Sequence, residues 1–346
     1  MIPLLPRSLC LLIAAAACLA AQHALRARGL EQVGNTWVLA EEIDLQARLA
    51  ELERLEKPLA DARQTVDQLI EQNQKNLAAL ADAQLAVPRL QAALAAARPG
   101  TVQWNVLNNQ LNAQNKTVNQ LQAQCIPRDK LGATAPLKPS LIELVEARNE
   151  VLLRVLPMRS LLDGLTNRYD VLGGDRAVKS ALSVLGSQGT LGPSRKLLER
   201  WKVVDRLQSQ VLTDALPLYR EGHFYRVTAI VNERQPLTFS FLDTTQQPST
   251  GNNEPIVIPQ NLAEAAGLSI DKNAPRAILH TGPDRNLPLA ETKISQLRFG
   301  RVVLRDVKAY ILPPSGGDVG PRLGLGALAK YRVKLDPDRL MLTVGN

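Results

Sequence analysis

In "FLDTTQQPST", residues 241–250, Phe241 and Leu242 lead into Asp243, Thr244 and Thr245. A carboxylate at the end of an apolar strand needs a partner, because burial penalises an isolated charge. Two chemistries fit. Paired with a second carboxylate, it would exchange protons during hydrolysis, since two acids held close together split their pKa values. Alone, it would cap its own turn by accepting from nearby backbone N–H groups. The other reactive side chains form no rival set. His23, His223 and His280 lie far apart, without metal-ligand spacing, and His223 is expected to pack or cap a strand. Neither a metal nor a cofactor is expected. No Gly-x-Ser-x-Gly elbow and no plausible Cys–His pair is present. "GLGALA", residues 324–329, mimics a dinucleotide fingerprint but is followed only by a short tail and lies in no βαβ unit. Asp284 in "TGPDRN" reads as a polar hairpin tip.

The elements that must hold Asp243 belong to a chain of 346 residues, enough for two or three domains. Apolar residues make up 45%, so a core can form, whereas aromatics are only 3%. The formal net charge is +8, but the basic residues are scattered among acidic ones with no basic stripe, so no nucleic-acid partner is expected. Arg7 precedes the apolar run "SLCLLIAAAACLAA", residues 8–21. This run is short for a membrane span and suits a secretory signal, with Cys18 and Ala20 at the small positions before a cut. An uncleaved anchor is the alternative, making a membrane tether through the N-terminus possible. Both readings imply export to the periplasm or cell envelope. Cys10 and Cys18 fall in this segment, which leaves Cys125 alone in a mature chain and excludes an internal disulfide framework.

"GNTWVLAEE", residues 34–42, predicts a short strand or extended leader before a helix. Leu45, Leu49, Leu52, Leu59, Val66, Ile70, Leu77 and Leu80 then follow coiled-coil-like spacing, interrupted by Pro58 and Pro88. After the turn "RPGT", Leu107, Leu111, Val118, Leu121 and Cys125 make a second seam. The expected arrangement is an antiparallel hairpin, 41–97 against 102–124, with Cys125 buried and inert. Ser140 and Glu143 form a candidate capping box for the next helix. Further helices are expected near 176–185 and 194–216. From Glu221 on, short alternating apolar strands take over, interrupted by one short helix at 261–266. The implied organisation is signal or anchor 1–21, helical hairpin or coiled coil 34–125, linker 126–140, helical region 141–216 and β domain 221–346. The fold class is α+β and multidomain.

Roughly 222–344 resembles the retropepsin-like aspartic proteases, in particular the bacterial single-domain clan. The ordered features are "GHFYRVTAIVN", "FLDTT" in place of the catalytic motif, "IVIPQNLAEAAGL", "HTGPDRNLPLAETKISQLRFGRVVLRDVKAYILPP" and "RLGLGALAKYRVKLDPDRLMLTV". The resemblance implies an all-β acid-protease barrel and a homodimer in which each chain supplies Asp243. It also implies that Thr244 braces the paired loops, that His280, Thr281 and Gly282 belong to a flap, and that Leu323 and Gly324 are the structural apolar–Gly pair. Thr245 departs from the family, which has glycine there; a β-branched residue restricts that loop. The inserted "QQPSTGNNEP", 246–255, lengthens it. Two functions follow as expectations. One is an exported, weak or degenerate endopeptidase acting on a peptide or protein substrate. The other is an inactive pseudoprotease, an envelope scaffold or binding protein. A nucleic-acid-binding coiled coil ranks below both.

Overall fold

The structure, a computed structural model, describes residues 7–242, 255–269, 276–282, 285–314, 320–324, 328 and 331–345. The helices are α1 (Arg7–Arg26), α2 (Ala40–Arg54), α3 (Glu56–Ala96), α4 (Val102–Gln124), α5 (Leu137–Gly174), α6 (Arg176–Leu185), α7 (Arg195–Val211) and α8 (Gln260–Ala265). The first strands are β1 (Leu30–Val33), β2 (Thr36–Leu39) and β3 (Thr190–Leu191); β4 (Ala215–Pro217), β5 (Tyr219–Glu221), β6 (Phe224–Val231), β7 (Gln235–Leu242) and β8 (Ile256–Pro259) follow. The last are β9 (Arg276–Gly282), β10 (Arg285–Phe299), β11 (Val302–Leu312), β12 (Arg332–Asp336) and β13 (Met341–Gly345). At 57% helix and 24% strand, with helices leading and strands following, the chain is α+β. Among the described residues the strands form no closed barrel.

Contacts divide the chain into two compact units, Met1–Pro58 with Arg148–Leu212 and Leu59–Ala147 with Thr213–Asn346. In the first unit, β1, β2 and β3 form a small sheet, with β2 and β3 parallel. Trp37, Val38 and Leu39 of β2 are buried and lead directly into α2. The apolar face of α2, Leu45, Leu49 and Leu52, recurs at helical spacing and is buried. α2 packs on α7, and Arg200 of α7 donates to the Gln46 carbonyl at 2.7 Å. α7 starts where Ser194 caps it, its hydroxyl accepting from Leu197 N at 3.2 Å.

In the second unit, α3 and α4 form an antiparallel hairpin, but the first arm expected over 41–97 is broken at Leu55, so that α3 supplies it only from Glu56 on. Asn73 spans the hairpin, donating from Nδ2 to the Ile126 carbonyl at 3.1 Å and accepting from Ile126 N at 2.7 Å. Gln114 donates to the Ala83 carbonyl at 3.0 Å further along. Cys125 caps the end of α4 half-buried rather than lying in a sealed seam, and burial pushes its thiol pKa up.

Four sequence expectations are corrected. Pro58 does not kink a long helix: α2 ends at Arg54, and Pro58 sits in the first turn of α3, where a missing N–H costs nothing. Ser140 does not cap α5. The helix already starts at Leu137, Pro139 is tolerated in its first turn, and the Ser140 hydroxyl donates back to the Pro136 carbonyl at 3.2 Å. The helix expected to reach residue 216 stops at Val211. Leu216 instead precedes Pro217, a position that disfavours helix, and pairs in β4 with Leu342 of β13. His223 neither packs nor caps: it is exposed in the tight β5–β6 turn beside Gly222, which takes φ +59.

The main sheet has seven strands, β5-β6-β10-β11-β8, with β7 on β6 and β9 on β10. β8 is parallel to β11, and the other pairs are antiparallel. Two close approaches set its geometry. Gly300 in the β10–β11 turn has φ +56, and a Cβ there would lie 1.9 Å from the Thr213 carbonyl oxygen. Asn232 and Glu233, in the β6–β7 turn, have φ values of 51° and 56°. That turn fixes the register in which Phe224 faces Leu242 at the far end of the hairpin.

Candidate functional site

β7 is the strand that ends next to Asp243, and it is held on two sides. Along β6 it pairs at every position from Val231↔Gln235 to Phe224↔Leu242. On its other edge residues 321–323 form a short bridge. Ser240 N donates to the Pro321 carbonyl at 2.8 Å, and Leu323 N donates to the Ser240 carbonyl at 2.9 Å. The Ser240 hydroxyl, itself buried, also donates to the Pro321 carbonyl at 2.9 Å. The same short segment bonds β8 through its other edge: Val257 N donates to the Arg322 carbonyl at 3.0 Å and Arg322 N to the Val257 carbonyl at 2.9 Å. The Ser240 bridge is parallel and the Val257 bridge antiparallel. β7 and β8 are therefore antiparallel strands with a third strand threaded between them.

Side chains reinforce this clamp. Phe241 stacks on Tyr225 of β6 with ring centroids 5.7 Å apart. The buried guanidinium of Arg220 lies over the Tyr225 ring, 4.9 Å from its centre, where a cation is attracted to the π face. Thr228 and Thr238 share a hydrogen bond across β6 and β7 at 2.9 Å. Leu323 and Gly324 are both buried beside the clamp. Behind it, Val257, Leu289 and Leu312 make a small core with Tyr310 packed against them.

Asp243, Thr244, Thr245 and the polar connection through residue 254 lie outside the described residues, as does Asp284. His280, Thr281 and Gly282 fall on β9, whose pairing with β10 shifts register near Arg285 and Asn286. Among the described residues, no group of three or more His, Cys, Asp or Glu side chains is placed to hold a metal ion.

The first unit contains a carboxylate for which the sequence offered no signal. Glu42 is fully buried at the start of α2. It accepts from the Tyr169 hydroxyl at 2.6 Å, from Ser194 N at 3.1 Å and from Gln46 Nε2 at 3.1 Å. Tyr169 in turn accepts from Leu39 N at 2.8 Å. Burial first, and then the bond to Glu42, raises the Tyr169 pKa, so the phenol keeps its proton at every physiological pH. Glu42 also sits where the helix dipole favours a negative charge. Each neighbour donates to its side-chain oxygens, and the side chain has no exposure to solvent. The chemistry is structural: the cluster ties β2, α2, α5 and the start of α7 together.

Neighbouring Glu41 differs. It is exposed, and the Arg168 guanidinium bonded to it at 2.6 Å, with the charge attraction that accompanies the bond, holds its pKa below the usual carboxylate range. Adjacent glutamates are indistinguishable in a sequence, and only the turn of α2 decides which one is buried.

No family model, curated protein or solved structure matches the chain.

Proposed function

We propose that the chain is an exported, retropepsin-like aspartic endopeptidase with weak activity, whose catalytic pair is Asp243 from each of two copies. The observation that carries this reading is the threaded strand. "FLDTT" and "RLGLG" are the two motifs the resemblance assigns to the site, and their flanks are hydrogen-bonded at Ser240 and residues 321–323 despite a separation of 81 positions. A catalytic carboxylate must be held on a rigid element to meet its partner in register, and the end of β7 is held by β6, by this segment and by the Arg220–Tyr225–Phe241 stack. In the mechanism, one carboxylate of the pair takes a proton from water while the other donates one to the scissile carbonyl. The substrate class is a peptide or protein.

A second reading is favoured by Thr245: the same fold, retained as an inactive envelope scaffold or binding protein. Its β-branched side chain restricts the loop where glycine would permit close approach.

Peptide-library cleavage from acid to neutral pH separates the two. Weak cleavage in mild acid is expected, lost in Asp243→Asn and increased in Thr245→Gly. Cleavage that persists unchanged in Asp243→Asn overturns the proposal. Silence of the wild type at every pH, with activity appearing in Thr245→Gly, establishes the second reading instead.

A further inference from the structure

We infer that the chain is a substrate for an export peptidase that cuts between Ala20 and Ala21, and that the residues from Ala21 onward belong to the fold. The inference rests on reading 8–21 as an export segment and is independent of the protease reading. Helix α1 is continuous from Arg7 to Arg26, but its burial changes within one turn. Residues 14–17 and Ala20 are exposed, Leu19 is 67% exposed and Cys18 is half-buried. Ala21 and Leu25, one turn apart on the same face, are 6% and 0% exposed. Beyond them, Arg28 Nε meets Asp175 at 2.7 Å, and Asp175 caps α6 by accepting from Ala177 N at 2.7 Å. Leu30 then starts β1 fully buried. The edge of the fold therefore lies at residue 21.

Among the described side chains before that edge, residues 14–17, Leu19 and Ala20 are exposed and only Cys18 is half-buried. An exposed Leu19 and a run of exposed alanines form an apolar surface in water that removal would eliminate. As a membrane anchor the run is short: 14 residues of helix reach about 21 Å, against about 30 Å of hydrocarbon. Among the described residues no helix is long and apolar enough to cross a membrane.

Side-chain size selects the same bond. A cut after Ala20 places small Cys18 and Ala20 at the third and first positions before the scissile bond. A cut after Ala21 would place Leu19 at the third position and remove a buried side chain. A cut after Ala17 would leave Leu19 exposed on the product. The reaction is hydrolysis: water adds to the Ala20 carbonyl, the C–N bond breaks, and the products are an Ala20 carboxylate and an Ala21 ammonium.

The test is expression of the full chain with its own N-terminus in a bacterial host, followed by fractionation and intact mass with N-terminal sequencing. A soluble envelope protein that begins at Ala21 is expected. Ala20→Phe is expected to accumulate as the uncut chain in the membrane fraction with an unchanged melting temperature after detergent extraction, because side chain 20 is exposed. An exported chain that keeps its first 20 residues, or starts elsewhere, overturns the inference, as does continued cutting at Ala21 in Ala20→Phe. Full-length chain retained in the cytoplasm overturns the export reading and this inference together. None of these outcomes bears on Asp243, which is judged by peptide cleavage alone.

Discussion

The α3–α4 hairpin and the main sheet belong to the same unit, yet they are held together by different means. β6 shows the burial pattern of a strand with both faces covered, six of its eight residues being fully buried. Helix α4 has no fully buried residue over its 23 positions. Its apolar seam is regular but only half-covered, so each leucine gains only part of the roughly 25 cal/mol per Å² available on full burial. The register of the hairpin comes instead from amide side chains, Asn73 and Gln114, that reach across to backbone groups. A sustained apolar period is therefore evidence for a helix and its partner, but not for a core.

The comparison can be broken most directly by large-to-small substitutions. Phe239→Ala in β7 removes a fully buried ring and is expected to cost about 3–5 kcal/mol in urea unfolding. Leu111→Ala on the half-exposed seam of α4 should cost about 1 kcal/mol. Equal losses would mean that the hairpin is as tightly packed as the sheet.

The next effect tests a buried polar group that behaves like neither region. Tyr169→Phe removes one of the three donors to the buried Glu42 side chain and is expected to cost about 1–3 kcal/mol, because the oxygen that Tyr169 served is then left with fewer bonds. A silent substitution would show that the Tyr169 bond does not hold Glu42 in place. A smaller and more local loss is expected for Asn73→Ala, about 1 kcal/mol, with hydrogen exchange accelerated at the Ile126 amide. Acceleration spread through the main sheet instead would couple the two regions and end the distinction.

The smallest expected effect depends on pH. The Arg28 guanidinium bonded to Asp175, followed by the Ala177 N–H, holds its pKa below the ordinary value of 3.8. A lowered carboxylate pKa contributes stability that is complete above the unfolded value and is lost as pH falls through the folded one. The contact between α1 and α6 should therefore be insensitive to pH from neutrality to about 4 and weaken below it. In Asp175→Asn that acid-dependent component should disappear. Weakening already near pH 6 would point to another group.

Much of the skeleton was legible. The turn at 98–101 and the two apolar seams place the α3–α4 hairpin, and the helices expected near 176–185 and 194–216 are present as α6 and α7, the second ending early at Val211. Alternation from Glu221 on marks every strand from β6 to β13. What escaped depends on contacts distant in sequence. Leu216 leaves a helical pattern because β13 offers it a pairing edge and Pro217 follows. Glu42 and Glu41 differ only in which way α2 faces. At the candidate site, the strand up to Leu242 follows from alternation, whereas the bridge at 321–323 is too short to carry any period and is created by two edges, β7 and β8, that the chain supplies far earlier in sequence.

That threaded segment imposes an order in time. β7 and β8 both leave the ribosome long before residues 321–323, so the edges that the third strand must occupy stay open meanwhile. At about 5–20 residues per second the wait is roughly 4–16 s, during which the two strands must neither close on each other nor recruit a neighbouring chain. A polypeptide whose synthesis is interrupted before Leu323 carries every residue of "FLDTT" and its β6 partner, but lacks the segment that closes the other edge of β7. The arrangement acts as a check on completeness, since the second edge of β7 beside Asp243 is closed only after nearly all of the sheet has been made.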